Sequence, residues 1–413
     1  MSDTPLAFFR RHPDYARYFI GMVPIQIAVQ IESITVAWQV YHIARETRSI
    51  EESAFMVGMV GLCQFLPLFV LTLYAGTLAD RISRKAIVIW SLVAEALGVA
   101  GLMAIALQET PSLMPIFVIS GLFGAARAFL SPAASAMVPM LVSRTDMPRA
   151  ISLSTTVWMV AILGGPFLGG LLIDQSIAAA YGIATVFFVF GIASLALVRA
   201  RTTPERQGGN PLTQLREGLS YVWGNKVVFG AISLDLFAVL LGGATALLPA
   251  FATDILQVGS MGNALLRMGP ALGGLAMSTW LAFHPIKNKA GVKMFLGVAA
   301  FGLATIVFGL STNLWLSVAA LAVLGAGDMI SVNVRQTLIQ IVTPDHMRGR
   351  VSAVSGLFIS GSNELGEFET GVVSRFIGPV MAAVTGGIGT LMVTGIWAWA
   401  FPALRRADRL DHD

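Results

Sequence analysis

Residues 76–85 read GTLADRISRK, one acid and three bases set between two long apolar runs. CQFLPLFVLTLYA (63–75) precedes them and AIVIWSLVAEALGVAGLMAIAL (86–107) follows. A run of about 20 apolar residues spans a hydrocarbon layer of about 30 Å. The quoted stretch is therefore a charged turn joining two membrane helices. The same rhythm of apolar run and basic loop recurs from end to end. Apolar runs fall at 18–40, 54–75, 86–107, 114–138, 151–173, 178–198, 227–251, 263–284, 294–311, 314–336, 351–373 and 379–400. These predict an all-α membrane protein of twelve transmembrane helices. Composition agrees: 55% of the 413 residues are hydrophobic and 12% charged, where a soluble domain carries about 25% charged. Mean hydropathy is +0.75. The start of the chain has basic residues but no short apolar core with a small-residue cleavage site, so no cleavable signal is expected.

Most of the 27 lysines and arginines fall in alternate loops, for example Arg81, Arg84 and Lys85, Arg144 and Arg149, Arg199 to Lys226, and Arg405, Arg406 and Arg409. The opposite loops hold Arg45, Arg48 and Arg375. By the positive-inside rule the rich side and both termini face the cytoplasm, with the bacterial inner membrane as the expected location. The net charge of +4 thus speaks to orientation, not to nucleic acid. The single cysteine, Cys63, allows no internal disulfide, and the five histidines lack metal-ligand spacing. No lysine follows a glycine, so a P-loop is absent, and neither a Ser-His-Asp nor an HExxH arrangement occurs. No enzyme activity, metal or cofactor is expected.

The longest loop divides the runs six and six: 1–198 as an N-terminal bundle, 199–226 as a linker, 227–413 as a C-terminal bundle. Leu212, Leu215, Leu219 and Val222 follow helical spacing in the linker and predict a short helix lying on the membrane surface. LVSRTDMPRAIS from Leu141 and IVTPDHMRGRVS from Ile341 match at Val142/Val342, Met147/Met347 and Ser152/Ser352. Both follow the fourth run of their half, so the halves read as a repeat, the plan of many carriers.

GTLADRISRK resembles motif A of the major facilitator superfamily, G-x-L-A-D-R-x-G-R-K, with Ser83 in place of a glycine. The resemblance implies that Gly76, Asp80, Arg81, Arg84 and Lys85 brace the two halves and gate their movement. Ala161–Gly170, AILGGPFLGG, is similar to the antiporter-associated motif C, with Gly165, Pro166, Gly169 and Gly170 in register and Ala161 replacing a glycine; generic small-residue packing is the other reading. A second glycine run, Gly269-Pro-Ala-Leu-Gly-Gly274, opens span 8. In this family spans 5 and 8 meet across the domain interface, which implies a close sliding contact between these glycine faces. Arg127 in GLFGAARAFLSPA resembles the buried arginine of motif B, without the following glycine. The set is similar to the branch of macrolide and siderophore exporters.

Charges inside the runs sit at Glu32 (span 1), Arg127 (span 4), Asp235 (span 7), and Asp328 and Arg335 (span 10). In the superfamily these four helices line the central cavity, and charge in lipid is expensive unless paired or solvated. Asp328 and Arg335 share a helix face about 10 Å apart, and Arg335 has Asp235 as a candidate partner. Gln26 and Gln30 share one face of span 1, while Glu32 points about 200° away from Gln30; one of these groups must serve a neighbouring helix. In span 11, Ser360, Asn363, Glu364 and Glu367 line one face. Two carboxylates one turn apart resist double ionisation, so this pair is a candidate for proton or cation handling; capping the motif A bases or facing water are the alternatives. Glu95 reads as a local structural pair. Trp158 is open to substrate contact or to packing.

The expectation is a proton-coupled, monomeric exporter of small amphipathic molecules, working by alternating access within the lipid bilayer. A lysolipid flippase or solute importer of the same fold, and a non-transporting sensor, are the alternatives.

Overall fold

The computed structural model describes residues 5–79, 82–203, 211–286 and 288–407. Its long helices are α1 (Pro13–Arg45), α2 (Ile50–Ala79), α3 (Arg84–Ala106), α4 (Leu113–Met137), α5 (Met147–Gln175), α6 (Ile177–Ala196), α7 (Lys226–Gly242), α8 (Gly259–Phe283), α9 (Ala290–Leu310), α10 (Leu314–Val342), α11 (Asp345–Ile377) and α12 (Pro379–Ala400). Among the described residues ten helices are long and apolar enough to cross a membrane. The other two long ones, α8 and α11, have the length but are diluted by Gly, Ser, Asn and charged residues.

Helix starts are set by side chains that satisfy orphan amides. Ser176 accepts from Ala179 N at the head of α6, Asn225 from Val227 N and Val228 N at α7, and Asn313 from Trp315 N and Leu316 N at α10. Gly378, at φ 81°, makes the turn from α11 to α12.

The chain resolves into two compact units, Met1–Gln39 with Cys63–Gly208, and Val40–Leu62 with Gly209–Asp413. The last turns of α1 and the first half of α2 thus pack with the second unit's helices. In the first unit α3 packs on α4 and α6; in the second, α9 packs on α10 and α12, the same helices six places on.

Span 7 is not continuous. Gly243 is extended (φ −70°, ψ 92°), and the chain resumes through Leu248–Ala250 and a π-helical turn at Phe251–Ile255. A break leaves backbone groups that must be satisfied inside the protein; Thr370 on α11 donates to Gly243 O at 2.8 Å.

The linker helix, Pro211–Gly224, turns Leu215, Leu219 and Val222 toward the protein. Val222 is buried with Val228, Ile232, Ile339, Met347, Val351 and Val354, and Leu215 and Leu219 pack against that cluster. Glu217 pairs with Arg350 at 2.6 Å and Tyr221 donates to Val342 O. This part of the apolar stripe fits the protein's own surface.

Candidate functional site

Arg127 organises the first unit. It donates to Glu32 Oε2 on α1 (2.7 Å) and to Gln64 Oε1 on α2 (2.9 Å), and its Nε lies 3.7 Å from Glu95 Oε1 on α3. Glu32 and Glu95 are 2% and 1% exposed. Gly124 makes this meeting possible: a Cβ there would lie 2.0 Å from Gln64 O, so only glycine lets α2 approach α4 closely enough to deliver Gln64. A cavity of about 350 Å³ opens on the cluster, lined by Gln26, Glu95, Arg127, Ser131, Ser135 and Ser154 among others. Trp158, 44% exposed, lines an adjoining hollow that shares Ser135 and Ser154.

The sequence placed Gln26 and Gln30 on one cavity-facing stripe. Gln26 lines the cavity, whereas Gln30 rests on α5, where a Cβ on Gly165 would lie 2.3 Å from Gln30 Cβ. Gly169 meets Ile34 in the same way, and Pro166 and Gly170 are buried beside them. The second glycine run packs on α10: a Cβ on Gly273 would lie 1.7 Å from Ala322 O. Within their own units, α1 fills the space at Gly165 and Gly169, and α10 fills that at Gly273.

The second unit carries the corresponding pair. Asp235 on α7 and Arg335 on α10 form a buried ion pair, with side chains 7% and 3% exposed. Each unit thus joins its first and fourth long helices by an acid and an arginine. Asp328, two turns before Arg335 on α10, is partly buried. On α11, Glu367 faces Arg267 of α8 at 4.0 Å, while Ser360 and Asn363 are exposed. Gly58 and Gly61 of α2 pack against the α11 backbone at Glu367 and Glu364. The sequence left Arg267 unassigned, so this counter-ion was missed. Glu369 lies 3.5 Å from Thr370 Oγ1.

One further feature escaped the sequence reading. Tyr41 and Arg45, at the end of α1, both donate to Asp254 beyond the break in span 7, Arg45 at 3.1 Å to Oδ1. Glu95 is a full member of the Arg127 cluster. Its signal was an acid in the middle of an apolar helix.

Of the charged turn at 76–85, Asp80 and Arg81 lie outside the described residues, and Gly76 falls within α2. Arg84 donates to Ala136 O (2.7 Å), near the end of α4, and Lys85 to Ala196 O and Val198 O (2.7 and 2.6 Å), at the end of α6. Both bases neutralise the negative ends of helix dipoles within the first unit.

A bundle of membrane-length helices, built as two related sets with buried charge pairs at matching places, defines a membrane transporter. The chain belongs to the Major Facilitator Superfamily, whose family model matches residues 19–366. It is 26% identical to the enterobactin exporter EntS of Escherichia coli O1:K1, over 97% of this chain and 95% of that one. Among solved structures it resembles a POT family transporter crystallised with a thioalcohol-conjugated peptide (TM-score 0.73, 12% identity, 94% of this chain and 96% of that one). It also resembles a D-xylose–proton symporter (TM-score 0.70, 13% identity, 96% and 98%). At such identities the two structures speak to fold alone.

Proposed function

We propose that this transporter is a proton-driven exporter of a small amphipathic molecule of the siderophore kind, working as a monomer by alternating access, with both termini on the cytoplasmic side of the inner membrane. The observation that carries the reading is the Glu32–Glu95–Arg127 cluster beside the 350 Å³ cavity. Ionisable groups in a membrane core are costly and are kept where they move ions or bind substrate. The likeness to an enterobactin exporter supports the direction and the substrate class. In this reading Glu32, Arg127, Asp235, Asp328, Arg335, Glu364 and Glu367 handle protons and substrate charge. Gln26, Trp158 and Asn363 contact substrate, and Gly76 with Asp80, Arg81, Arg84 and Lys85 gates the movement.

The test is uptake of radiolabelled enterobactin into inside-out vesicles energised by respiration. Accumulation above that of vesicles lacking the protein, abolished by an uncoupler, is expected. Uptake equal to the control sinks the substrate assignment. A second reading, lysolipid transfer, is favoured by the apolar groove of about 470 Å³ lined by Leu78, Trp90, Leu122 and Phe129. Its arm of the same assay uses lysophosphatidylethanolamine.

A further inference from the structure

The Arg127 cluster holds two carboxylates and one guanidinium. Glu32 takes the charge-assisted hydrogen bond at 2.7 Å and Gln64 takes a second donor at 2.9 Å. Glu95 takes neither. Both its oxygens are buried and, among the described residues, accept no hydrogen bond; the nearest cation, Arg127 Nε, stands at 3.7 Å. An ionised carboxylate in such a place pays desolvation without the donors that compensate it.

The groups that face Glu95 are few. From α4 comes Arg127 and from α1 Glu32, with the neutral Gln64 of α2 on the far side of Arg127 as its second acceptor. Helix α6, which packs on α3, has no Asp, Glu, Lys or Arg; its one phenol, Tyr181, donates to Gln39. The other charges of α3, Arg84 and Lys85, sit at its first turn and are committed to helix ends. Among the described residues no second cation is at hand for the second acid. The corresponding cluster of the other unit differs: Asp235 and Arg335 match one acid to one base. Glu95 also lines the cavity with Arg127, Ser131 and Ser154.

We propose that Glu95 is the proton-binding residue of this cluster. While Arg127 holds Glu32, the Glu95 carboxyl keeps its proton. When Arg127 swings from Glu32 toward Glu95, the O–H bond of Glu95 breaks, its proton leaves to cavity water, and the new carboxylate pairs with the guanidinium. The reverse swing takes a proton back from water. This inference rests on the proton-driven reading for its purpose, but not for its test.

The test needs no substrate. Infrared difference spectra of the protein in proteoliposomes, between acid and alkaline pH, report protonated carboxyl groups by their C=O stretch. The wild type should show such a band disappearing with rising pH, and Glu95→Gln should lack it. Glu32→Gln, left with one acid per base, should lack it near neutral pH as well, because Glu95 then pairs with Arg127. Should Glu95→Gln fail to fold, Glu95→Asp should shift the band in frequency and in pH. A full band in Glu95→Gln, an unmoved band in Glu95→Asp, or a band that follows sodium at fixed pH would overturn the assignment. A titrating Glu95 in a protein whose transport ignores the pH gradient would instead sink the proton-driven reading and leave the assignment standing.

Discussion

Replacing Asp235 by alanine strands the guanidinium of Arg335, whose side chain is 3% exposed, without its counter-ion. Breaking a buried pair from one side costs about 3–5 kcal/mol, because the remaining charge stays in a low dielectric. At about 1.4 kcal/mol per factor of ten, that is roughly two to three and a half powers of ten in the folded-to-unfolded ratio. Replacing both partners with apolar residues of similar volume, Asp235→Leu with Arg335→Met, removes the stranded charge and should fall between neutrality and a gain of about 1–4 kcal/mol. The single costs therefore should not add. Arg348–Asp345 is the control: at 43% and 89% exposure it is a surface pair, worth about 0.2–1 kcal/mol. The assay is reversible unfolding of the purified protein in mixed micelles by titration with sodium dodecyl sulfate, followed by circular dichroism. If Asp235→Ala costs less than the Asp345→Ala control, or if the double variant costs the sum of the singles, the pair is not the buried, mutually dependent unit described here.

Gly273→Ala must displace the α10 backbone, since its Cβ would lie 1.7 Å from Ala322 O, and overpacking of this kind costs about 1–3 kcal/mol. Gly349→Ala, with nothing within 4 Å, should gain about 0.5–1 kcal/mol from helix propensity; the same unfolding titration reads both. Val222→Asp should free the linker helix from its apolar bed and speed tryptic cleavage at Arg216, while Ser220→Asp, on the exposed face, should not. His12 Nε2 and Asp146 Oδ2 lie 2.8 Å apart, and this hydrogen bond holds the Asp146 carboxyl below the ordinary aspartate range. A depressed carboxyl stabilises the fold above its unfolded titration and loses that contribution as pH falls through the folded one. The tie of His12 to Asp146 should therefore hold at neutral pH and fail in acid below about pH 4, read as faster amide exchange of the Pro5–Arg11 helix; Asp146→Asn should show the fast rate at every pH.

The helical bundle was legible because apolar length, charge-poor runs and basic loops are local signals. So were Glu32, Arg127, Asp235 and Arg335, since a charge in an apolar run announces itself. The expected partnership of Arg335 with Asp235 is present. What the sequence could not give was the choice of partner across helices. Helical spacing placed Gln26 and Gln30 on one face, but a face about 100° wide can serve a cavity and a neighbour at once. It also set Glu95 aside, because one acid looks the same whether it completes a pair or exceeds it. Arg45 and Asp254 were hidden for a different reason: they sit at helix ends, where charge is ordinary, and a break at Gly243 brings them together. The linker stripe of Leu215, Leu219 and Val222 is amphipathic either way, and only the tertiary structure says whether lipid or protein covers it.

In the proposed cycle substrate moves out as protons move in. The most direct measurement is of proteoliposomes holding the purified protein and a lumenal pH dye, with no pH gradient imposed. An enterobactin gradient is applied by dilution. Outward flow of enterobactin should acidify the lumen, and Glu95→Gln should permit exchange of labelled for unlabelled enterobactin without the pH change. Enterobactin flow in the wild type with a lumenal pH that does not move would contradict it.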